Sequence, residues 1–298
     1  MLKSGLVDFD RKTWEGTTGF IFACYHNNLT AIDVILKSGR VDLNVRTKLG
    51  YSGFIVACAN GHKGLVDLLL QSDRIDFEAV TAKGNTGFIL ACANGHLGVV
   101  ESLLASMKMD PNAANKFGMT GFLAACDNGH TDVVQFLLAS IRVDVAAKEM
   151  DDFTGFIMAC ANGHLDIVKL MLTYRRHNIS VITKHLVKKH ASPIFDFEAR
   201  TNNLHTGFIA ACGNGRTEVA DTLIKSGKVD LNAKTVNEYT GFTLACNNGH
   251  IEVVQLLMNS GLTDIYARNS SGQNCLQMAE ENCHNNISKL LIASGKFN

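Results

Sequence analysis

Five side-chain pairs stand out for the chemistry they could do. Cys58 and His62, Cys92 and His96, Cys126 and His130, Cys160 and His164, and Cys246 and His250 each read Cys-x3-His. Thiolate and imidazole are preferred ligands of zinc. Each pair offers two ligands where a structural zinc wants four, and the glycine before each His ends a helix, so the His is not held on the Cys face. An Asp also recurs, as Asp8, Asp42, Asp76, Asp110, Asp144, Asp196, Asp230 and Asp264. A catalytic acid is expected once, so a regularly returning Asp reads as a structural position. Asp151 and Asp152 are a paired acid on a predicted turn, where solvation is the simpler role. There is no phosphate-cradling glycine loop, nucleophile elbow or His-Glu-x-x-His. These residues predict no enzyme, no bound metal, no cofactor and no small-molecule substrate.

The elements that carry these residues repeat. Thr18-Gly19-Phe20 returns at Ser52, Thr86, Thr120, Thr154, Thr206 and Thr240, with a degenerate eighth copy at Asn274-Cys275-Leu276; the spacings are 34, 34, 34, 34, 52, 34 and 34. The long interval is one period plus 18, so eight repeats carry one insertion. In each unit a Ser or Thr caps a short apolar helix, and a glycine such as Gly61 stops it in a left-handed conformation. A second helix follows with Leu and Val at helical spacing, as in Leu65, Val66, Leu68, Leu69 and Leu70. A short extended stretch, Val41 to Asn44, leads through a polar turn to the next cap. Such a helix pair cannot bury its apolar stripe alone, so neighbours must stack as a solenoid. Seven of the nine cysteines occupy one position of the first helix: Cys24, Cys58, Cys92, Cys126, Cys160, Cys212 and Cys246. There a thiol packs as a small hydrophobe, and successive copies stand ~10 Å apart, too far for a disulfide.

The chain has 298 residues, with 28 basic and 28 acidic side chains and two prolines. Zero net charge argues against a dedicated nucleic-acid binder. No apolar run approaches the ~18 residues of a membrane span, and Asp8 and Asp10 interrupt what a signal peptide would need as its core. Many free thiols point to a reducing, cytoplasmic setting.

The repeat resembles the ankyrin family along essentially the whole chain. The family's Thr-Pro-Leu-His, Ala-Ala and Gly-His signatures appear here as Thr-Gly-Phe-Ile, Ala-Cys and Asn-Gly-His, with Gly for Pro in seven repeats and a period of 34. The resemblance implies an all-α helix-turn-helix solenoid with β-hairpin-like tips, covering 1–298 as a single array. It implies a non-catalytic scaffold that binds a protein or peptide on its hairpin tips and concave face. Carried over position by position, the partner-binding candidates are Trp14, Lys48, Leu49, Tyr51, Phe117, Met119, Met150, Phe153, His205 and Tyr239. Apolar and aromatic residues stand there on tips that propensity alone would make polar, and such residues anchor interfaces. The Asn stripe Asn60, Asn94, Asn128, Asn162, Asn214, Asn248 and Asn282 allows two readings, a helix C-cap or an amide ladder for an extended peptide.

The insertion, 175–192, carries five basic residues and no acid. Arg175, Arg176, Lys184, Lys188 and Lys189 make it a candidate anion- or partner-docking element; the alternative is a stripe of Ile179, Ile182, Leu186 and Val187 laid on the solenoid. The chain enters and leaves in mid-repeat, so a second reading of function is a recognition segment of a larger protein. Finally, Gly at the first helical position invites replacement by Pro, which pre-sets φ there; each change is expected to stabilise by ~0.4–1 kcal/mol unless close packing requires the glycine.

Overall fold

The structure, a computed structural model, describes residues 11–174 and 195–297. These group into two compact units, Met1–Asp144 and Val145–Asn298. The first unit contains α1 (Gly19–Tyr25), α2 (Leu29–Ser38), α3 (Gly53–Ala59), α4 (Lys63–Leu70), α5 (Gly87–Ala93), α6 (Leu97–Ser106), α7 (Gly121–Asn128) and α8 (Thr131–Ala139). The second contains α9 (Gly155–Asn162), α10 (Leu165–Thr173), α11 (Gly207–Gly213), α12 (Thr217–Ser226), α13 (Gly241–Asn248), α14 (Ile251–Ser260), α15 (Cys275–Glu281) and α16 (Asn285–Ala293). Within each unit the odd-numbered helices form one layer and the even-numbered helices the layer behind it. The fold is all-α, and the described residues contain no strand, only two isolated bridges, Val80 with Thr86 and Lys148 with Thr154.

Local chemistry sets these boundaries. Each Thr or Ser before an odd-numbered helix accepts a hydrogen bond from the third helical amide, as Ile55 N to Ser52 Oγ at 3.3 Å and Leu123 N to Thr120 Oγ1 at 3.3 Å. Those amides have no intrahelical acceptor, so the cap satisfies an otherwise orphaned donor. At the other end Gly61, Gly95, Gly129, Gly163, Gly215 and Gly249 all adopt positive φ. The even-numbered helices are amphipathic and bury Leu65, Val66 and Leu69, or their equivalents, against the first layer.

The recurring histidines sew one repeat to the one before. Nε2 of His62 lies 3.1 Å from the Tyr25 carbonyl, that of His96 3.0 Å from Ala59, and that of His250 2.8 Å from Gly213. A carbonyl can only accept, so Nε2 carries the proton. Arg216 stands in for the histidine in its repeat and donates from Nε to the Ala161 carbonyl at 3.0 Å. The recurring Asp is equally structural among the described residues: the Asp42 carboxylate accepts from Asn44 N at 2.9 Å, and Asp230 accepts from Asn232 N at 2.9 Å. Val41 to Asn44 is therefore not an extended stretch. The carboxylate turns the chain at Leu43-Asn44 into an Asx turn.

At Gly53, Gly121 and Gly207 the glycine after the cap has a packing reason, which overturns the expected gain from Pro there; at Gly19 a Cβ meets no described atom within 4 Å. A Cβ on Gly53 would lie 2.5 Å from Phe20 Cε1 and 2.8 Å from Cys24 Sγ; one on Gly121 would lie 2.7 Å from Phe88 Cε1 and 3.0 Å from Cys92 Sγ. Those rings and thiols are enclosed, with Phe20 1% and Phe88 2% exposed and Cys24 and Cys92 at 0%. Phe, Cys and Gly thus form one interlock: the bulky ring and thiol of one repeat fill the volume a Cβ would occupy in the next. Proline carries the same Cβ, so its pre-set φ cannot compensate.

Eight thiols are buried, and Cys283 is exposed. Burial pushes the Cys58, Cys92 and Cys126 thiols far up, which removes the reactive thiolate. Native protein treated briefly with iodoacetamide at pH 8 should therefore gain its first adduct at Cys283, read by intact mass; ladder cysteines that react as fast as Cys283 without denaturant would contradict this burial.

Candidate partner-binding groove

The hairpin tips are turns closed by one short-range pair. Thr47 N donates to Tyr51 O at 3.0 Å, and Tyr51 N donates to Thr47 Oγ1 at 3.1 Å. Neighbouring tips are then joined backbone to backbone. Lys48 N donates to Glu15 O and Ala82 N to Leu49 O, both at 2.8 Å, while in the second unit Val236 N donates to Asn203 O at 3.2 Å and Ser270 N to Asn237 O at 3.0 Å.

Residues three and four before the cap project into solvent. Trp14 is 81% exposed, Leu49 66%, Met150 68% and Phe117 54%; Lys48 is exposed as well. The residue immediately before the cap turns inward instead. Tyr51 packs on Ile21, Val45 and Val56, and Phe153 on Ile157, Ala199 and Ala210. Met119, His205 and Tyr239 are half-buried at the same place, and burial pushes the His205 imidazole pKa down. Tyr239 accepts a hydrogen bond at its hydroxyl from Asn269 Nδ2 at 3.3 Å. Phe153 is thus half-buried and packs on its neighbours, as Tyr51 does at the same place. Phe117→Ala should leave stability within about 0.5 kcal/mol. Phe153→Ala should cost about 1–2 kcal/mol, a partial version of a core truncation. Urea denaturation distinguishes the two.

In the first unit the exposed tip residues meet an aromatic helix face. Trp14, Phe22, Tyr25, His26, Leu49 and Tyr51 line one groove of about 780 Å³, with Asn60 and Asn94 also in its lining. Phe22 is 60% and Tyr25 58% exposed. The rings are mutually braced: Phe22 and His26 centroids are 4.3 Å apart, and Tyr25 meets His26 edge-on at 5.0 Å. Lys48 Nζ sits 3.8 Å above the Trp14 ring, a cation–π contact that puts positive charge at the rim. A preformed apolar groove with a few polar groups at its margin is the usual form of a binding site.

Phe22 and Tyr25 were not among the sequence candidates. The signal lay in departure from the repeat: Phe22 stands where other repeats carry Val56, Leu90, Ala124 or Met158, and Tyr25 where they carry Ala59, Ala93, Asp127 or Ala161. The amides of the Asn stripe divide between their own helix and the end of the helix in the preceding repeat. Asn60 Nδ2 donates to Val56 O at 2.9 Å, Asn94 Nδ2 to Ala59 O at 2.8 Å, and Asn248 Nδ2 to Gly213 O at 2.8 Å, so these amides serve the helix ends. Among the described residues no three His, Cys, Asp or Glu side chains come together to hold a metal, and no helix is long and apolar enough to cross a membrane. Arg175, Arg176, Lys184, Lys188 and Lys189 lie outside the described residues.

A family model for ankyrin repeats matches in three copies, over residues 20–115, 88–185 and 208–298. No individual curated protein matches the chain at a significant level. Ankyrin repeats are generally protein–protein interaction modules and typically non-catalytic. With capped helix pairs, glycine stops and inter-repeat histidine bonds recurring through both units, and the family match spanning most of its length, the chain belongs to the ankyrin-repeat family.

Proposed function

We propose that this chain is a non-catalytic scaffold that binds an extended segment of a protein partner in the groove of the first unit, with bulky apolar side chains of that segment seated among Trp14, Phe22, Tyr25, Leu49 and Tyr51. The observation that carries the reading is the exposure of four large apolar side chains, Trp14, Phe22, Tyr25 and Leu49, along one groove. Exposed aromatics held rigid by their neighbours lose little entropy on binding, which is why such residues act as anchors. Lys48 at the rim favours an acidic or carbonyl group beside the apolar anchor. Exposed tips in the second unit, Met150 and Val236 among them, offer further contacts for the same class of partner. The buried free thiols fit a reducing compartment such as the cytoplasm. Selecting peptides from a random library against the native chain, and then against a Phe22→Ala/Tyr25→Ala variant, tests the reading. Apolar-rich peptides that bind the first and fail on the second support it; peptides that bind both equally place recognition elsewhere.

A further inference from the structure

We propose that Cys246 and Cys275 form a disulfide-competent pair, a thiol modification site that ties the eighth repeat to the seventh when oxidised. The position after the cap is glycine in seven repeats and Cys275 in the eighth. Its place against the preceding repeat can be read from the equivalents. A Cβ on Gly241 would lie 3.0 Å from Cys212 Sγ and 3.3 Å from Cys212 Cβ; on Gly87 the same distances to Cys58 are 3.0 and 3.3 Å. In a disulfide the two Cβ atoms stand roughly 3.5–4.5 Å apart, and the bond lengths put each Cβ about 3 Å from the partner sulfur. The repeat geometry is therefore within a few tenths of an ångström of what the bond requires.

Cys24, Cys58, Cys92, Cys160 and Cys212 each face a glycine at this place. Cys246 faces a second thiol. The Cys275 thiol is among the groups that push the Cys246 thiol up, both residues are fully buried, and the Cys275 thiol donates weakly to the Ile265 carbonyl at 3.6 Å. Burial holds the Cys246 thiol protonated, so the pair reacts when the repeat opens and not from the closed state.

The oxidant is a low-molecular-weight disulfide such as oxidised glutathione. One cysteine, losing its proton, attacks a sulfur of that disulfide and releases one glutathione thiol. The second cysteine, also losing its proton, attacks the mixed disulfide and releases the other. The net change is two protein thiols and one glutathione disulfide to one protein disulfide and two glutathione thiols, with two electrons passing to glutathione.

The test uses the full chain carrying Cys283→Gly, which removes the exposed thiol and installs the residue that stands there in most repeats. The protein is incubated with oxidised glutathione, once folded and once during refolding from urea. Thiols are then counted and linkages mapped by non-reducing mass spectrometry. In either arm the expected result is loss of two thiols per chain, one linked peptide joining Cys246 to Cys275, no retained glutathione, and full reversal by dithiothreitol. Cys275→Gly in the same background restores the repeat's own residue and should lose no thiols. A chain that keeps all its thiols in both arms, links other cysteines, or holds glutathione on Cys246 or Cys275 without closing the bond overturns the proposal.

Discussion

Gly53→Ala and Gly121→Ala should each destabilise the first unit by about 1–3 kcal/mol, the usual cost of overpacking a filled core. The sign is the informative part. Gly to Ala inside a helix ordinarily gains about 0.5–1 kcal/mol, and that gain is expected at Gly19, where a Cβ meets no described atom within 4 Å. At Gly53 the added carbon meets the Phe20 ring at 2.5 Å, and at Gly121 it meets the Phe88 ring at 2.7 Å. Both rings are walled in, so neither can turn aside. The cost should fall through Gly207, where the nearest ring atom is 2.9 Å away, to Gly87 and Gly241, where the nearest contacts are at 3.0 Å. Phe20→Leu in the Gly53→Ala background should recover part of the loss, giving a coupling energy that a double-mutant cycle reads directly. Equal stabilisation at Gly19 and Gly53 in urea melts would dismantle the Phe–Cys–Gly interlock.

The second large effect is on binding. Phe22 is 60% exposed, so a partner that covers it removes about 120 Å² of aromatic surface from water, taking roughly 200 Å² for such a side chain. At about 25 cal/mol per Å² this is about 3 kcal/mol before ordering costs. Phe22→Ala and Tyr25→Ala should each weaken a groove-binding peptide by about 2 kcal/mol, or ~30-fold. Stability should change little, because both side chains lie on the solvent side of α1. Isothermal titration of selected peptides, paired with melts of the same variants, separates lost affinity from lost fold. Peptide affinity unchanged in both variants would remove the groove from the account.

Much of the fold is legible in the residues because its rules are local. A Thr hydroxyl caps the turn that follows it, a glycine with positive φ ends that helix, and an apolar stripe defines the second helix without reference to distant partners. The tips are legible in place but not in direction. Phe117 stands three residues before its cap and points outward, whereas Phe153 stands one before its cap and packs on Ala199 and Ala210 of the next repeat; propensity alone does not tell the two positions apart. The post-cap glycine is misread because its neighbours, Phe20 and Cys24 in the case of Gly53, are one repeat away. Phe22 and Tyr25 escape a reading built on recurrence because they are where the first repeat stops recurring.

Trp14 is the chain's only tryptophan, and it stands at the groove's rim, 81% exposed with Lys48 above its ring. Its emission therefore reports on the groove alone. Titration of the native chain with a selected apolar-rich peptide should shift that emission to the blue, saturate at one peptide per chain, and fail to do so with Phe22→Ala/Tyr25→Ala. Tight binding that leaves the Trp14 emission unmoved would contradict the claim that this groove is where the partner binds.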